Sequence, residues 1–372
     1  MSIFRGVKRI VVKVGTNLIA DESGRLDRKQ LEDLVTQIAD LVDQGYQPLL
    51  VTSGAIAAGV EGLDLKNRPT AMPELQAAAS VGQGLLIHLY SELFGKRKIH
   101  VGQVLLTQYD TTHRTQYLNA RNTLDKLLDF NAVPVINEND TTAVDEIRFG
   151  ENDTLAALVS CLITADLLIL LSDIEGLYTT DPRKDKDARF LSEVREITTE
   201  IEELAGGVGS KFASGGMVTK IQAAKIATCA GTGMIIANGK ERNVLSRIMN
   251  QEPLGTFFAP RKKRISSRKL WIAFGRVSKG IIVVDEGAKT ALIEKGRSLL
   301  PAGVLSCRGA FGLGDAVDIS DKEGIVFAKG LINFSTDELD RVKGLKSSEI
   351  TSKFSEDVSD EVIHRDCLVI LR

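Results

Sequence analysis

The chain has 372 residues, of which 43% are hydrophobic and 26% charged, with a formal net charge of −2. That length suits two or three ordinary domains, and the composition supports both a sizeable core and a soluble surface. The near-neutral balance excludes a protein that coats nucleic acid or anionic membrane with its whole surface, leaving only local patches for such partners.

In chain order, the N-terminus carries Arg5, Lys8 and Arg9, followed by an apolar run of only Ile10 to Val12. A signal peptide needs a longer one. Residues 9–13 are rich in β-branched side chains and read as a strand. Leu31, Leu34, Val35, Ile38, Leu41 and Val42 then fall on one face of a helix, with Asp27 placed to cap it and Gly45 to end it. Further strands are expected at 49–52, 101–106, 133–137, 167–172 and 234–238, with helices between them at 115–129 and 154–164. Strands separated by helices of this length imply a mainly parallel sheet with helices on both faces. In such sheets ligands bind beyond the carboxyl ends of the strands. The most apolar segment, 159–171, is too short to cross a bilayer and contains Asp166.

After about residue 258 the pattern changes. Arg261, Lys262, Lys263, Arg264, Arg268 and Lys269 make a basic stretch that ends near Trp271. Short strands and glycine turns follow at 280–284, 303–308, 316–320 and 324–330, which suggests a small, mostly β module. The expected division is therefore a first domain over 1–258, a basic linker over 259–277 and a second domain over 278–372. The four cysteines and four histidines are scattered, so they read as reduced thiols in a cytoplasmic protein and give no zinc site.

Four strand ends are polar and glycine-rich. Lys13-Val14-Gly15-Thr16 puts an ammonium where backbone N–H groups approach a phosphate, though a lysine also snorkels off strand ends without function. Thr52-Ser53-Gly54-Ala55 opens a small-residue helix start that suits an anion, or a plain serine cap. Asn137-Glu138-Asn139-Asp140 has more polar groups than a turn requires: Asp140 suits a substrate ammonium and Asn137 a carboxylate. Its companion, Gly150-Glu151-Asn152-Asp153-Thr154, opens a helix, with Asp153 also eligible as a cap. Ser172-Asp173 is followed by a turn from Gly176 to Arg183. Ser214-Gly215-Gly216-Met217-Val218-Thr219-Lys220 has the composition of a phosphate loop and is expected to lead into a helix over 221–230. No Walker A motif, dinucleotide fingerprint or nucleophile triad is present. Lysines, glycines, Asn and Asp around a sheet edge suit phosphoryl transfer, where positioning and charge neutralisation do most of the work.

In this order, Lys13 to Thr16, Val51 to Gly59, Pro134 to Asp140, Phe149 to Asp153, Asp173 with Gly176 to Arg183, and Gly215 to Lys220 closely resemble the glutamate 5-kinase family. The resemblance spans nearly the whole chain. Through Val284 to Ala288 and Ser298 to Gly303 it includes a C-terminal module similar to a PUA domain. It implies an amino acid kinase fold, a three-layer α/β/α sandwich, and ATP-dependent phosphorylation of the glutamate side chain in the first step of proline biosynthesis. By resemblance, Ser53, Asn137, Asp140 and Asn152 hold glutamate. Lys13, Gly15, Ser172, Asp173 and the loop Ser214, Gly215, Gly216, Met217, Val218, Thr219, Lys220 hold ATP with Mg²⁺, the ion being bound mainly by phosphates and water. Lys13 and Lys220 stabilise charge and Asp153 orients them.

Two departures stand out: Glu151 where relatives carry Asp, and Ser172 where they carry Thr. The resemblance further implies feedback inhibition by proline, with residues 108–122 as a candidate regulatory loop. A homo-oligomer, dimer or tetramer, is also expected. Two alternatives remain at this point: a kinase for aspartate, acetylglutamate, carbamate or UMP, and an RNA-binding protein acting through the C-terminal module and its basic stretch. The plainer reading of that stretch is a solvated linker whose charges keep it extended.

Overall fold

The computed structural model describes residues 4, 6–21, 25–107, 110–111, 113–142, 152–180, 182, 185, 187–205, 216–261, 269, 272–273, 277–345, 349 and 361–371. Contacts divide the chain into two compact units, Met1–Arg264 and Ile265–Arg372.

The first unit is built on a sheet of eight strands in the order β3-β4-β2-β1-β5-β9-β10-β8. Its central members are β1 (Arg9–Val14), β2 (Gln47–Val51), β4 (Val133–Glu138) and β5 (Leu167–Ser172), flanked by β3 (Val101–Leu106) and β9 (Gly233–Asn238). All of these run parallel. β10 (Thr256–Phe258) returns antiparallel to β9 and pairs with β8 (Glu193–Val194). The small strands β6 (Leu177–Tyr178) and β7 (Phe190–Leu191) pair separately.

The middle strands are apolar along their length because helices cover both faces. Ile10, Val11, Val12, Leu49, Leu50, Leu168 and Ile169 are fully buried. The short α1 (Thr16–Ile19) follows β1 directly. α2 (Arg28–Asp43) starts at Asp27, whose carboxylate accepts from the N–H groups of Lys29 and Gln30, and the chain leaves it through Gly45 at φ +86°.

α3 (Ala55–Gly62) and α4 (Met72–Gly95) pack backbone to backbone. A Cβ on Gly59 would lie 1.7 Å from the Ala78 carbonyl oxygen, and one on Gly82 would lie 1.8 Å from that of Ala55. No side chain fits at either crossing point, so the two glycines lock the register of α4 behind the end of β2.

α5 (Arg114–Asp129) precedes β4, and α6 (Asn152–Leu162) precedes β5. α7 (Thr199–Leu204) is short and lies on the surface. α8 (Gly216–Cys229) precedes β9, and α9 (Val244–Met249) follows it.

Two expectations need correction. The helix expected from residue 221 begins at Gly216, so Met217 to Lys220 are helical rather than loop. The candidate regulatory loop 108–122 is mostly the first half of α5 in its described part, and its residues 108, 109 and 112 lie outside the described residues.

The second unit is a five-stranded sheet ordered β12-β11-β13-β14-β15. These are β11 (Gly280–Val284), β12 (Val304–Gly309), β13 (Ala316–Ser320), β14 (Val326–Leu331) and β15 (Leu368–Ile370). Asp285 caps α10 (Glu286–Ile293), and a reciprocal Ser335–Glu338 capping box starts α11 (Thr336–Val342). Its core gathers Ile282, Val317, Ile319, Ile332, Leu339 and Ile363. Ile272 and Ala273, from the end of the basic stretch, are buried against Val369. Most of that stretch, 262–268, lies outside the described residues.

Candidate active site

A cavity of about 1870 Å³ opens beyond the carboxyl ends of β1, β2, β4 and β5. Its walls include Lys13, Gly15, Ser53, Asn137, Asp140, Asn152, Ser172, Asp173, Gly216 and Lys220, so residues scattered over more than half the chain converge on one space. Ser214, Gly215 and Glu151 lie outside the described residues. Met217, Val218 and Thr219 are wound into the helix and do not line the cavity themselves.

One side of the cavity is ionic. Lys13, near the end of β1, and Lys220, in the second turn of α8, are both more than nine-tenths buried. Their ammonium groups meet the same carboxylate: Lys13 Nζ lies 2.6 Å from Asp153 Oδ1, and Lys220 Nζ lies 3.0 Å from Asp153 Oδ2. Asp153, at the start of α6, is wholly buried behind the two lysines. Its role is therefore not the helix cap that the sequence also allowed. Burial pushes its carboxyl up, but the charges of Lys13 and Lys220 and their hydrogen bonds outweigh this and hold it below the usual carboxylate range. Thr219 Oγ1 donates to the same Oδ2 at 3.2 Å, and Lys220 also donates to the Gly216 carbonyl at 3.1 Å.

One carboxylate shared between two ammonium groups leaves a net positive charge facing the cavity. Held this way, the lysines do not repel one another apart. Gly15 lies beside this cluster, where a Cβ would come into ordinary contact with Lys13 Nζ at 3.5 Å.

Next to this cluster, Asp173 accepts from Ser172 Oγ at 3.1 Å and from Asn17 Nδ2 at 3.4 Å. Burial pushes the Asp173 carboxyl up, yet its own backbone N–H, Ser172, Asn17 and the Lys220 charge together bring it below its ordinary value. Four exposed cations, Arg25, Lys66, Arg68 and Lys240, complete the rim.

The other side is built mainly of neutral amides and a hydroxyl. Asn152 Nδ2 lies within 2.7 Å of the Thr52 carbonyl, 2.8 Å of Ser53 Oγ and 3.0 Å of Asn137 Oδ1. Asn137 is buried. Its Oδ1 also accepts from the Glu138 N–H at 2.9 Å, and its Nδ2 donates to Gln83 Oε1 on α4, likewise at 2.9 Å. Asn152 Oδ1 is buried without a hydrogen-bond partner among the described residues. Ser53 does not cap α3. Gly54 takes the cap position at φ +97°, with no side-chain capping bond, and the Ser53 hydroxyl turns to Asn152 instead. Asp140 stands half-buried on the same wall.

Asn17 and Gln83 escaped the sequence reading. Asn17 sits one residue past the Lys13 to Thr16 motif. Gln83 is an amide on a helix whose neighbours there are small or apolar, and that contrast was the available signal.

The amino acid kinase family model matches residues 8–238, and the PUA domain model matches 280–354. A glutamate 5-kinase from Thermoanaerobacter sp. (strain X514) is 50% identical over 363 residues, 98% of each chain. One from Carboxydothermus hydrogenoformans is 49% identical over 370 residues, 99% of each. The chain belongs to the amino acid kinase family, among the glutamate 5-kinases. Among solved structures, this kinase resembles the carbamate kinase of Giardia lamblia bound to AMP-PNP. The TM-score is 0.52 at 19% identity, covering 69% of this chain and 99% of that one, a likeness of fold alone. The expected α/β/α sandwich with a strand-rich C-terminal module is thus the fold of this kinase.

Proposed function

We propose that the chain transfers the γ-phosphoryl group of ATP to the side-chain carboxylate of L-glutamate. The product is L-glutamyl 5-phosphate, and the reaction is the first step of proline biosynthesis. Beyond family membership, the observation that carries this reading is the Lys13–Asp153–Lys220 cluster on the cavity wall. A glutamate carboxylate is already ionised at neutral pH, with an ordinary pKa of roughly 4.3, so no general base is required. The barrier is repulsion between two anions. Lys13 and Lys220 offset it as negative charge gathers on the transferring group, from a partly dehydrated site where their field is strong. Asp153 fixes both ammonium groups in advance, so little reorganisation is left for the transition state.

The ionic side, with Gly15, Ser172, Asp173 and the start of α8, takes the nucleotide, and Ser214 and Gly215 belong to the same segment. Ser53, Asn137, Asp140 and Asn152 take glutamate. Asp140, half-buried on that wall, suits the substrate α-ammonium. No group of three or more His, Cys, Asp or Glu among the described residues forms a metal cage, and both Asp153 oxygens face lysines. Such a donor set fits Mg²⁺ arriving on the nucleotide phosphates and keeping waters as ligands. The ion would supply further charge neutralisation at the phosphoryl oxygens.

The same reading includes proline as a feedback inhibitor, a homo-oligomer and a cytoplasmic setting. No helix among the described residues is long and apolar enough to cross a membrane. The proposed domain limits are 1–258 and 278–372, joined by 259–277. RNA at the second domain is tested by salt-dependent retention of the full chain.

The direct test is ATP turnover with glutamate in the presence of hydroxylamine, which traps an acyl phosphate as the hydroxamate. Aspartate, acetylglutamate, carbamate and UMP serve as competitors. Hydroxamate formed from glutamate alone is the expected result. Equal turnover of another acceptor would reassign the substrate.

A further inference from the structure

Gln83 lies on α4 and reaches no cavity wall, yet it ends a chain of hydrogen bonds that leads to one. The backbone fixes the direction of every amide in that chain. The Glu138 N–H is a donor only, so the Asn137 atom facing it at 2.9 Å is Oδ1. Asn137 Nδ2 must then point the other way, where it meets Gln83 Oε1 at 2.9 Å. The Thr52 carbonyl is an acceptor only, so the Asn152 atom facing it at 2.7 Å is Nδ2. Asn152 Oδ1 is left buried and without a hydrogen-bond partner among the described residues. Asn137 Oδ1 links the two amides, accepting from Asn152 Nδ2 at 3.0 Å.

We propose that Gln83 is a positioning residue for the amino acid substrate: it holds Asn137, and through it Asn152, in place on the amide side of the cavity. This rests on the reading above that the amide side of the cavity takes glutamate. Gln83 is suited to the task because its own helix cannot slide. It follows Gly82, one of the two glycines at the α3–α4 crossing where no Cβ fits. Gln83 is itself buried, so water does not compete for Asn137 Nδ2. Removing the acceptor strands a buried N–H₂ donor, and Asn137 loses the contact that holds the far end of its amide while its Oδ1 is aimed at Glu138 and Asn152.

The experiment compares wild type with Gln83→Met and Gln83→Glu in the full chain. Methionine keeps the length and removes the acceptor, while glutamate keeps an acceptor oxygen. Gln83→Met is expected to raise the glutamate KM roughly tenfold, the scale of one stranded buried donor, with kcat and the ATP KM within about twofold of wild type. At pH 8 Gln83→Glu is expected to return the glutamate KM most of the way. Combined with Asn137→Ala, Gln83→Met should add almost nothing, because both act through one chain. An unchanged glutamate KM in Gln83→Met, an equal rise in the ATP KM, or a Gln83→Glu enzyme no better than Gln83→Met would overturn the proposal. If Gln83→Met does not fold, Gln83→Asn, which withdraws the acceptor by one methylene, is judged by the same criteria. Asn152→Ala separates the two levels. If it too leaves the glutamate KM unchanged, the substrate reading of the amide side fails. If it raises KM while Gln83→Met does not, only the role of Gln83 fails.

Discussion

The two sides of the cavity are built by opposite means. The ionic side holds two ammonium groups by one buried carboxylate, and its two shortest long-range contacts are between charges. The amide side holds Asn137, Asn152, Ser53 and Gln83 by neutral hydrogen bonds, with backbone groups at Thr52 and Glu138 fixing their directions. Charge acts over distance and is not very sensitive to angle, so it suits a transition state whose charge is moving. Neutral hydrogen bonds are short and directional, so they suit recognition of a substrate whose shape is constant. On the proposed reading, turnover belongs to one side and affinity to the other, and substitutions on each side test that division.

The largest expected effect is on stability. Asp153→Asn leaves two buried ammonium groups facing each other without a counter-charge. Breaking a buried ion pair in this way typically costs about 3–5 kcal/mol, which urea unfolding should register. Turnover should fall with it, because the lysines lose their common anchor. Lys13→Ala and Lys220→Ala come next: each removes one charge stabiliser, worth on the order of 2.7–4 kcal/mol in the transition state, or a hundredfold or more in kcat. Near-normal kcat in either would contradict the division outright. On the amide side, Asn152→Ala and Asp140→Ala should instead raise the glutamate KM, by roughly tenfold for one lost hydrogen-bonding group, while leaving the ATP KM close to wild type. Should either substitution act mainly on kcat, the two sides would not be functionally separate.

How much of this was visible beforehand varies with the range of the interaction. Strands 101–106 and 167–172 match their observed limits; in the second, a continuous apolar run between turns has few other ways to be buried. The cap at Asp27 was equally plain, since an N-cap is a contact within three residues. Ser53 misled for a related reason: a serine before a helix resembles a cap until its competing partner, 99 residues away, is known. The start of α8 was placed late because Ser214-Gly215-Gly216 reads as a loop. In the structure Lys220 bonds back to Gly216 within the helix and across to Asp153, and these contacts extend the helix to the glycine. Lys13 and Lys220 were recognisable as candidates from their motifs. That both would grip Asp153 depends on the order of β1 and β5 in the sheet and on α6 and α8 packing over it. Gln83 was out of reach, being joined to Asn137 only through a helix crossing that two glycines make possible.

The smallest effect separates the two sides most cleanly, because the hydrogen bonds joining Ser53, Asn137, Asn152 and Gln83 contain no titratable side chain. The Asp153 carboxyl is held below its ordinary value of 3.8. Above that value Asp153 is ionised whether the chain is folded or unfolded, and the ion pairs contribute their full stabilisation. As pH falls through 3.8 the unfolded chain takes up a proton that the folded chain still refuses. The contribution is therefore lost progressively as pH falls to the folded value. The stability gap between wild type and Asp153→Asn should be flat from pH 7 to roughly pH 5 and shrink only below roughly pH 4. Ser53, Asn137, Asn152 and Gln83 carry no group that titrates there, and the nearby carboxylates Asp140 and Glu138 are present in both wild type and Asn152→Ala. The gap between wild type and Asn152→Ala should stay constant over the same range in the same urea titrations. A gap for Asn152→Ala that narrows in step with the Asp153→Asn gap would mean that the amide cluster depends on the ion pair, and that the cavity has one electrostatic framework rather than two.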